Sequence, residues 1–451
     1  MRDPKKTDMT TLTPIQFHRR PEPLALRSVR QRQIDGHAIY PAISLVLKVT
    51  ERCNLACPYC YFFFSDDQSF EKHPPLISDD TIESLIRFLE QAVAENGLRQ
   101  ISIGFHGGEP LLLKKKTFAA MCERLTSRLA PLCELKLSVQ TNGVLVDKDW
   151  VALFARFGIG VGVSFDGDAT SHDKTRITKK GEGTYEKTRA SWDMLRKAKA
   201  EQRLANVGLL CVIDPKQSGR KVFEHFVHEL QARKMDFLLP DLTHDSTEVT
   251  PDFVEQCGDY LLEVCQSWFE QADPGVYVRF IGIVTGPLLA REVSPPVAPY
   301  PQSAVKIMTI SSNGEISADD VYRTLAPRFR ETGYRLDNAT LAQFQQSELS
   351  GELVDAQITL PRACRACLWR GICHGGLKQH RFSARNGFDN PSIYCKALMR
   401  TYVFICQMIV RAGVAEAALE RRLSMLAGHI DDIAATLSSP LDQDMSDHAQ
   451  L

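Results

Sequence analysis

"ISLVLKVTERCNLACPYCYFFF", residues 43–64, joins an apolar run to three cysteines. The run "ISLVLKVT" (43–50) reads as a strand buried on both faces. Directly after it, Cys53, Cys57 and Cys60 stand in a C-x3-C-x2-C pattern before an aromatic stretch. The first strand therefore ends by presenting three thiols at the C-terminal mouth of the fold, where barrels place their chemistry. Three thiolates can hold three irons of a cubane cluster that ordinarily takes four cysteines, leaving one iron open to a small ligand. The alternative is a zinc loop. Structural zinc takes four closed ligands, and this loop offers one C-x2-C pair and no histidine.

Working outward, the same kind of apolar run recurs as "ISIGFHGG" (101–108), "LKLSVQTNG" (135–143), "IGVGVSF" (159–165), "NVGLLCVI" (206–213) and "MDFLLPDL" (235–242). Helical patterns separate these runs. Ser78 caps the first helix and Asp79 and Asp80 sit in its first turn, where the dipole favours negative charge. Ile82, Leu85, Ile86, Leu89 and Val93 share one face, and Gly97 closes it. Residues 114–130, 147–157, 184–203 and 218–232 repeat the theme. Strand then helix, six times over, predicts an α/β fold, a partial (β/α)6 TIM-like barrel short of the eight units of a closed one.

The expected organisation is an N-terminal extension (1–40), the partial barrel (41–245), connecting helices and a hairpin (246–355), a cysteine-rich segment (356–400) and a C-terminal helix and tail (401–451). The stretch "VSPPVAPYPQ" (293–302) is a Pro-rich connection, and 304–322 is a hairpin turning at Asn313-Gly314. Residues 396–436 are helical in pattern, and the tail "SSPLDQDMSDHAQL" is expected to be disordered.

Across 451 residues, 54 basic and 55 acidic side chains nearly cancel, so no global field favours nucleic acid or an acidic membrane. The first residues lack a secretory signal and no run is long enough to span a membrane, which predicts a cytoplasmic protein. Thirteen cysteines there point to metal or redox chemistry rather than disulfides. Cys122, Cys133, Cys211, Cys257, Cys265 and Cys406 read as ordinary core positions.

The cysteine loop resembles that of the radical S-adenosylmethionine (SAM) enzymes. So do "HGGEP" (106–110) after the second strand, "QTNG" (140–143) after the third, "VSFDG" (163–167) after the fourth and "HDKTR" (172–176). The resemblance implies a [4Fe–4S] cluster on Cys53, Cys57 and Cys60 and SAM at the open iron. It implies further SAM contacts at Gly107, Gly108 and Glu109 (amino group), Tyr59 (adenine, through its backbone), Gln140, Asn142, Ser164 and Arg176 (carboxylate). Asp166 is otherwise a turn residue before Gly167, and Arg176 a surface one.

A second set, Cys364, Cys367, Cys373 and Cys395, suffices for one ligated cluster, with a tetrahedral zinc site as the alternative. The segment resembles the SPASM, or twitch-like, iron–sulfur extension of radical SAM peptide maturases. The full extension has seven cysteines; here Asp319 and Leu377 stand at two of its cysteine positions and no cysteine occurs between 266 and 363. The missing positions belong to one auxiliary cluster, which leaves one auxiliary [4Fe–4S] cluster expected. By the same resemblance, Asp320 is the candidate proton acceptor, against a reading of 319–320 as two solvated acids.

"HGGEPLLL", "LLCVID", "DFLLPDLTHD" and "RFSARNGFDNPSIYCKAL" resemble the subgroup that forms cyclophanes in ribosomal precursor peptides. The expected reaction is an oxidative crosslink between an aromatic side chain and a neighbouring β-carbon, with a flavodoxin- or ferredoxin-like electron donor as a further partner. Anaerobic sulfatase maturation and thioether formation are the alternatives, and a non-catalytic iron–sulfur scaffold would have no use for the SAM contacts.

Overall fold

A computed structural model describes residues 42–65, 67–290 and 306–438, with side chains as far as residue 428. The N-terminal extension, the Pro-rich connection and the last residues of the tail lie outside the described residues.

All six expected strands form, in parallel: β1 (Ala42–Thr50), β2 (Gln100–Gly107), β3 (Glu134–Thr141), β4 (Gly160–Ser164), β5 (Val207–Val212) and β6 (Lys234–Leu238). Between them run α1 (Asp79–Asn96), α2 (Lys115–Leu129), α3 (Lys148–Arg156), the short α4 (Ala169–Thr175), α5 (Tyr185–Ala200) and α6 (Gly219–Glu224). The α1 termini follow the sequence reading: Ser78 accepts a hydrogen bond from Thr81 N, and Gly97 ends the helix in the left-handed region at φ 61°. Odd-numbered residues of β1 and β2, such as Leu45, Leu47, Ile101 and Ile103, are buried in the core with the inner faces of the helices. The concave face carries small residues instead: Gly104, Ser138, Gly162 and Gly208 line a cavity of about 790 Å³. A closed eight-stranded barrel fills that space with bulky side chains; here the described residues do not fill it.

Among the described residues the sheet has nine strands rather than six, in the order β7-β6-β5-β4-β3-β2-β1-β8-β9. After α7 (Pro251–Gln271), the two-residue β7 (Tyr277–Val278) extends the β6 edge and leads into α8 (Arg279–Leu289). The expected hairpin is β8 (Ile307–Ile310) and β9 (Ile316–Ala318), with Gly314 at φ 85° in its turn. It is not free-standing: β8 pairs in parallel with β1. Burying hydrophobic Met308 and Ile310 on β1 satisfies the sheet edge that an incomplete barrel leaves open. The cysteine-rich segment follows α9 (Glu348–Ile358). The single helical pattern expected at the end is two helices, α10 (Cys395–Arg411) and α11 (Glu416–Ser438), broken at Gly413 with φ 102°. Among the described residues no helix is long and apolar enough to cross a membrane. Of the six cysteines read as core, Cys122, Cys211, Cys257, Cys265 and Cys406 are buried, and Cys133 packs against the core.

Candidate active site

Leaving β1, the chain enters the cysteine loop, which is held from two sides. Ala56 N donates to Ile177 O at 2.8 Å, beside a bridge between Leu55 and Thr178. Gly108 N donates to Thr50 O at 3.0 Å and Glu109 N to Arg52 O at 2.9 Å. A Cβ on Gly107 would lie 1.8 Å from Thr50 O, and one on Gly108 2.3 Å from Arg52 O. These glycines, expected at the cofactor, thus also admit the backbone of the cysteine loop itself.

The three thiols are packed in. Burial pushes Cys53 up to about 12 and Cys57 up to about 11, with neighbouring thiols adding to both, and burial raises Cys60 as well. Positive charge approaches from Arg176, facing Cys57, and from Lys48, facing Cys60. Buried thiols set among cations suit a ferric or ferrous cluster, which takes them as thiolates.

Glu109 is buried, and its carboxylate is spoken for. Oε1 accepts from Thr141 Oγ1 at 2.7 Å and Leu111 N at 3.1 Å, and Oε2 accepts from Asn142 N at 2.8 Å. Burial nonetheless raises it to about 7. Asn142 reaches back to the loop, donating to Asn54 Oδ1 at 2.8 Å beside Cys53 Sγ. Gln140 donates to Ser164 Oγ at 2.9 Å across β3 and β4, on the concave face. The structure therefore brings Gly107, Gly108, Glu109 and Asn142 to the cysteine loop, and pairs Gln140 with Ser164 at the ends of β3 and β4.

Arg176 is buried rather than on the surface. It pairs with Asp166, Nε to Oδ2 at 2.9 Å and Nη2 to Oδ1 at 3.1 Å. Asp166 also accepts from Tyr59 Oη, Thr175 Oγ1 and Val212 N. It is the hub that fixes Tyr59 and Arg176 relative to each other, a role beyond that of a turn residue.

Asp320, just past β9, reaches the same mouth. Lys48 Nζ lies 2.9 Å from its Oδ2 and 2.8 Å from its Oδ1, Tyr61 Oη donates to Oδ2, and Arg323 stands behind at 3.8 Å. Burial opposes its charge, but Lys48 and its neighbours hold it at about 2. Asp320 is no solvated acid; it is a buried carboxylate with both oxygens engaged. Asp319 beside it is pushed up to about 6 by burial and by the Asp320 charge. His106 lies on the same side, its Nδ1 without a partner, and burial keeps it neutral. The sequence reading missed Lys48, although a lone lysine in an apolar strand was its signal.

The second cysteine set also converges. Cys364 faces Cys367 and Cys395, and Cys373 faces all three. Cys373 further meets Tyr402, which lies on α10 beyond Cys395. The turn after Cys373 runs through His374, Gly375 and Gly376 at φ 51°, 84° and 88°. A Cβ on Gly376 would stand 2.6 Å from Ser392 Cβ, so the glycine lets the Cys395 arm close on the Cys373 arm.

Residues 47–225 match the Radical SAM superfamily. The cysteine-type anaerobic sulfatase-maturating enzyme of Clostridium perfringens is 24% identical over 383 residues, covering 83% of this chain and 99% of that enzyme. The serine-type anaerobic sulfatase-maturating enzyme of Klebsiella aerogenes is 26% identical over 382 residues, covering 80% and 87%. Among solved structures, native anSMEcpe with bound AdoMet and Cp18Cys peptide aligns with a TM-score of 0.68 at 21% identity, over 82% of this chain and 99% of that one. Streptococcus suis SuiB bound to precursor peptide SuiA aligns at 0.54 and 16%, over 79% and 76%. At these identities the two structures speak for the fold alone. The superfamily match spans the cysteine loop, the Gly-Gly-Glu-Pro turn and Arg176, and it supports a radical SAM enzyme.

Proposed function

We propose that this enzyme oxidises a ribosomally made precursor peptide, taking a hydrogen atom from a side-chain β-carbon and joining that carbon to a nearby aromatic ring. SAM bound at a reduced [4Fe–4S] cluster on Cys53, Cys57 and Cys60 supplies a carbon radical able to take hydrogen from an unactivated C–H bond. The chain binds and orients. Gly107, Gly108, Glu109, Gln140, Asn142 and Ser164 would contact SAM, with Arg176 and Tyr59 held by Asp166 beside them. Cys364, Cys367, Cys373 and Cys395 would hold a second [4Fe–4S] cluster, which would supply an acceptor for the electron that bond formation releases. Both sets are thiol-only, the donor chemistry that an iron–sulfur cluster takes. The electron donor is a small flavodoxin- or ferredoxin-like protein.

One observation carries the crosslinking reading. The two late segments that resemble the cyclophane subgroup pack on each other at the mouth. His244 N donates to Phe382 O at 3.0 Å, Ala384 N to Asp245 Oδ2 at 2.7 Å and Tyr394 Oη to Pro240 O at 2.9 Å. A second reading, formylglycine formation in a sulfatase, is favoured by relatives that align over nearly their whole length. Both begin by taking hydrogen from a β-carbon and differ in what the carbon does next.

The test is anaerobic co-expression with precursor peptides encoded beside the gene, followed by high-resolution mass spectrometry. A loss of two hydrogens mapped to an aromatic-containing stretch, unreactive to hydroxylamine and to thiol reagents, supports the crosslink. A hydroxylamine-reactive aldehyde supports the second reading. SAM cleavage with no peptide change removes the crosslinking proposal.

A further inference from the structure

The loop after β6 brings a second acid to the mouth. Asp241 follows Pro240, whose carbonyl is fixed by Tyr394 Oη at 2.9 Å. Its Oδ1 accepts from Gln379 Nε2 at 3.3 Å, with His380 Nε2 at 3.9 Å. No hydrogen bond to its Oδ2 occurs among the described residues. The side chain is 29% exposed, yet protein surrounds it closely enough for burial to lift it to about 6. Asp241 is therefore solvent-accessible while lying close to protein at the C-terminal end of β6. The groups facing it are Asp320 from beyond β9, Tyr61 from the cysteine loop, Tyr322, and Tyr394 and His380 from the cysteine-rich segment.

Asp320 and Asp241 thus lie within electrostatic reach of one another and have opposite properties. Asp320 is sealed, with both oxygens on Lys48 or Tyr61. Asp241 is open, with one oxygen lightly held and the other free. A general base must reach the proton it takes, and it works best when its acidity lies near the operating pH. Environments that push two carboxyl groups apart separate their tasks.

We infer that Asp241 is the residue that takes the substrate's proton, while Asp320 is a positioning residue that holds Lys48 and Tyr61 in place. The inference rests on the oxidative reading above. In the balanced step, the substrate has already given one hydrogen atom to the SAM-derived radical. The β-carbon bonds to a ring carbon, one electron passes to an iron–sulfur acceptor, and the ring C–H proton passes to Asp241 Oδ2, restoring aromaticity. In the formylglycine variant the proton taken comes from the substrate's hydroxyl or thiol.

The test uses the full chain with the precursor peptide, in wild type, Asp241→Asn, Asp241→Glu and Asp320→Asn. In the metal-free proteins, peptide binding is measured by fluorescence anisotropy; Asp241→Asn is expected to bind within about twofold of wild type. In the reconstituted proteins, two readings are taken: deuterium transfer from a β-deuterated peptide into the SAM-derived product, and finished peptide product. Asp241→Asn is expected to transfer deuterium but to make product about 100-fold more slowly. Its product profile should lose the acid limb expected near pH 6 in wild type, and Asp241→Glu should restore part of the rate. Tenfold weaker peptide binding, with product restored at saturating peptide, would make Asp241 a substrate anchor and overturn the assignment. Normal product formation in Asp241→Asn would also overturn it. If wild type transfers no deuterium from any peptide, the proposed function falls, and this inference with it.

Discussion

Replacing Gly107 by alanine is the sharpest test of how the cysteine loop is held. The new Cβ would sit 1.8 Å from Thr50 O and 2.9 Å from its carbonyl carbon, inside the 3.0 Å that real Cβ atoms respect. Thr50 cannot simply retreat, because its carbonyl accepts from Gly108 N at 3.0 Å and its hydroxyl donates to Pro75 O at 3.0 Å. Gly107 also adopts φ 129°, which an L-residue reaches only with strain. Backbone strain costs about 1–2 kcal/mol, and overpacking against a fixed backbone a further 1–3 kcal/mol. The expected loss is about 2–5 kcal/mol, together with a displaced cysteine loop. Gly97→Ala is the control. It adds a Cβ at φ 61° with nothing within 4 Å, so it carries strain alone and costs about 1–2 kcal/mol. Urea unfolding of the metal-free proteins measures both. Iron content after anaerobic reconstitution reads the loop, and Gly107→Ala should load poorly while Gly97→Ala loads as wild type. Equal unfolding midpoints for the two variants, with equal iron, would refute the claim that the turn and the loop are packed backbone to backbone.

Two further outcomes follow from contacts around the mouth. His73 lies between Glu51 at 2.9 Å and Glu315 at 3.1 Å; burial works against its charge, but the two carboxylates raise it from 6.5 to about 9. Its contribution is fully present below pH 6.5 and lost as pH rises through about 9, so the stability gap between wild type and His73→Ala should shrink by about 2–3 kcal/mol across that window in urea titrations. For the second cysteine set, the Cys364→Ala/Cys367→Ala pair should lower iron by about four atoms per chain while SAM binding survives. Unchanged iron would remove the auxiliary cluster.

The six strands and the α1 caps could be read from sequence because they depend on neighbours in the chain. Ser78 and Thr81, or Val93 and Gly97, are a turn apart, and period and cap chemistry suffice. The docking of β8 on β1 could not be read this way. Val46 pairs with Thr309 across more than two hundred residues, and nothing in "AVKIMTI" distinguishes a free hairpin from one that seals a barrel edge. The short β7 was invisible because two residues carry no period.

The site divides in the same way. Cys53, Cys57 and Cys60 share one loop, so their spacing alone announced them. The acids did not announce their roles, because a carboxylate takes its character from what surrounds it. Asp319 and Asp320 are adjacent in sequence, yet burial lifts the first to about 6 while Lys48 holds the second at about 2. The lysine that separates them stands 272 residues from Asp320, facing inward from β1. Asp241 gains its setting from Gln379 and Tyr394, which arrive only when the cysteine-rich segment folds back over β6. A segment that carries four thiols therefore also sets the environment of an acid at the SAM mouth. The proposed electron acceptor and the proposed proton acceptor would then be built by one packing event, so a mutation that loosens the 240–245 contact should impair both together.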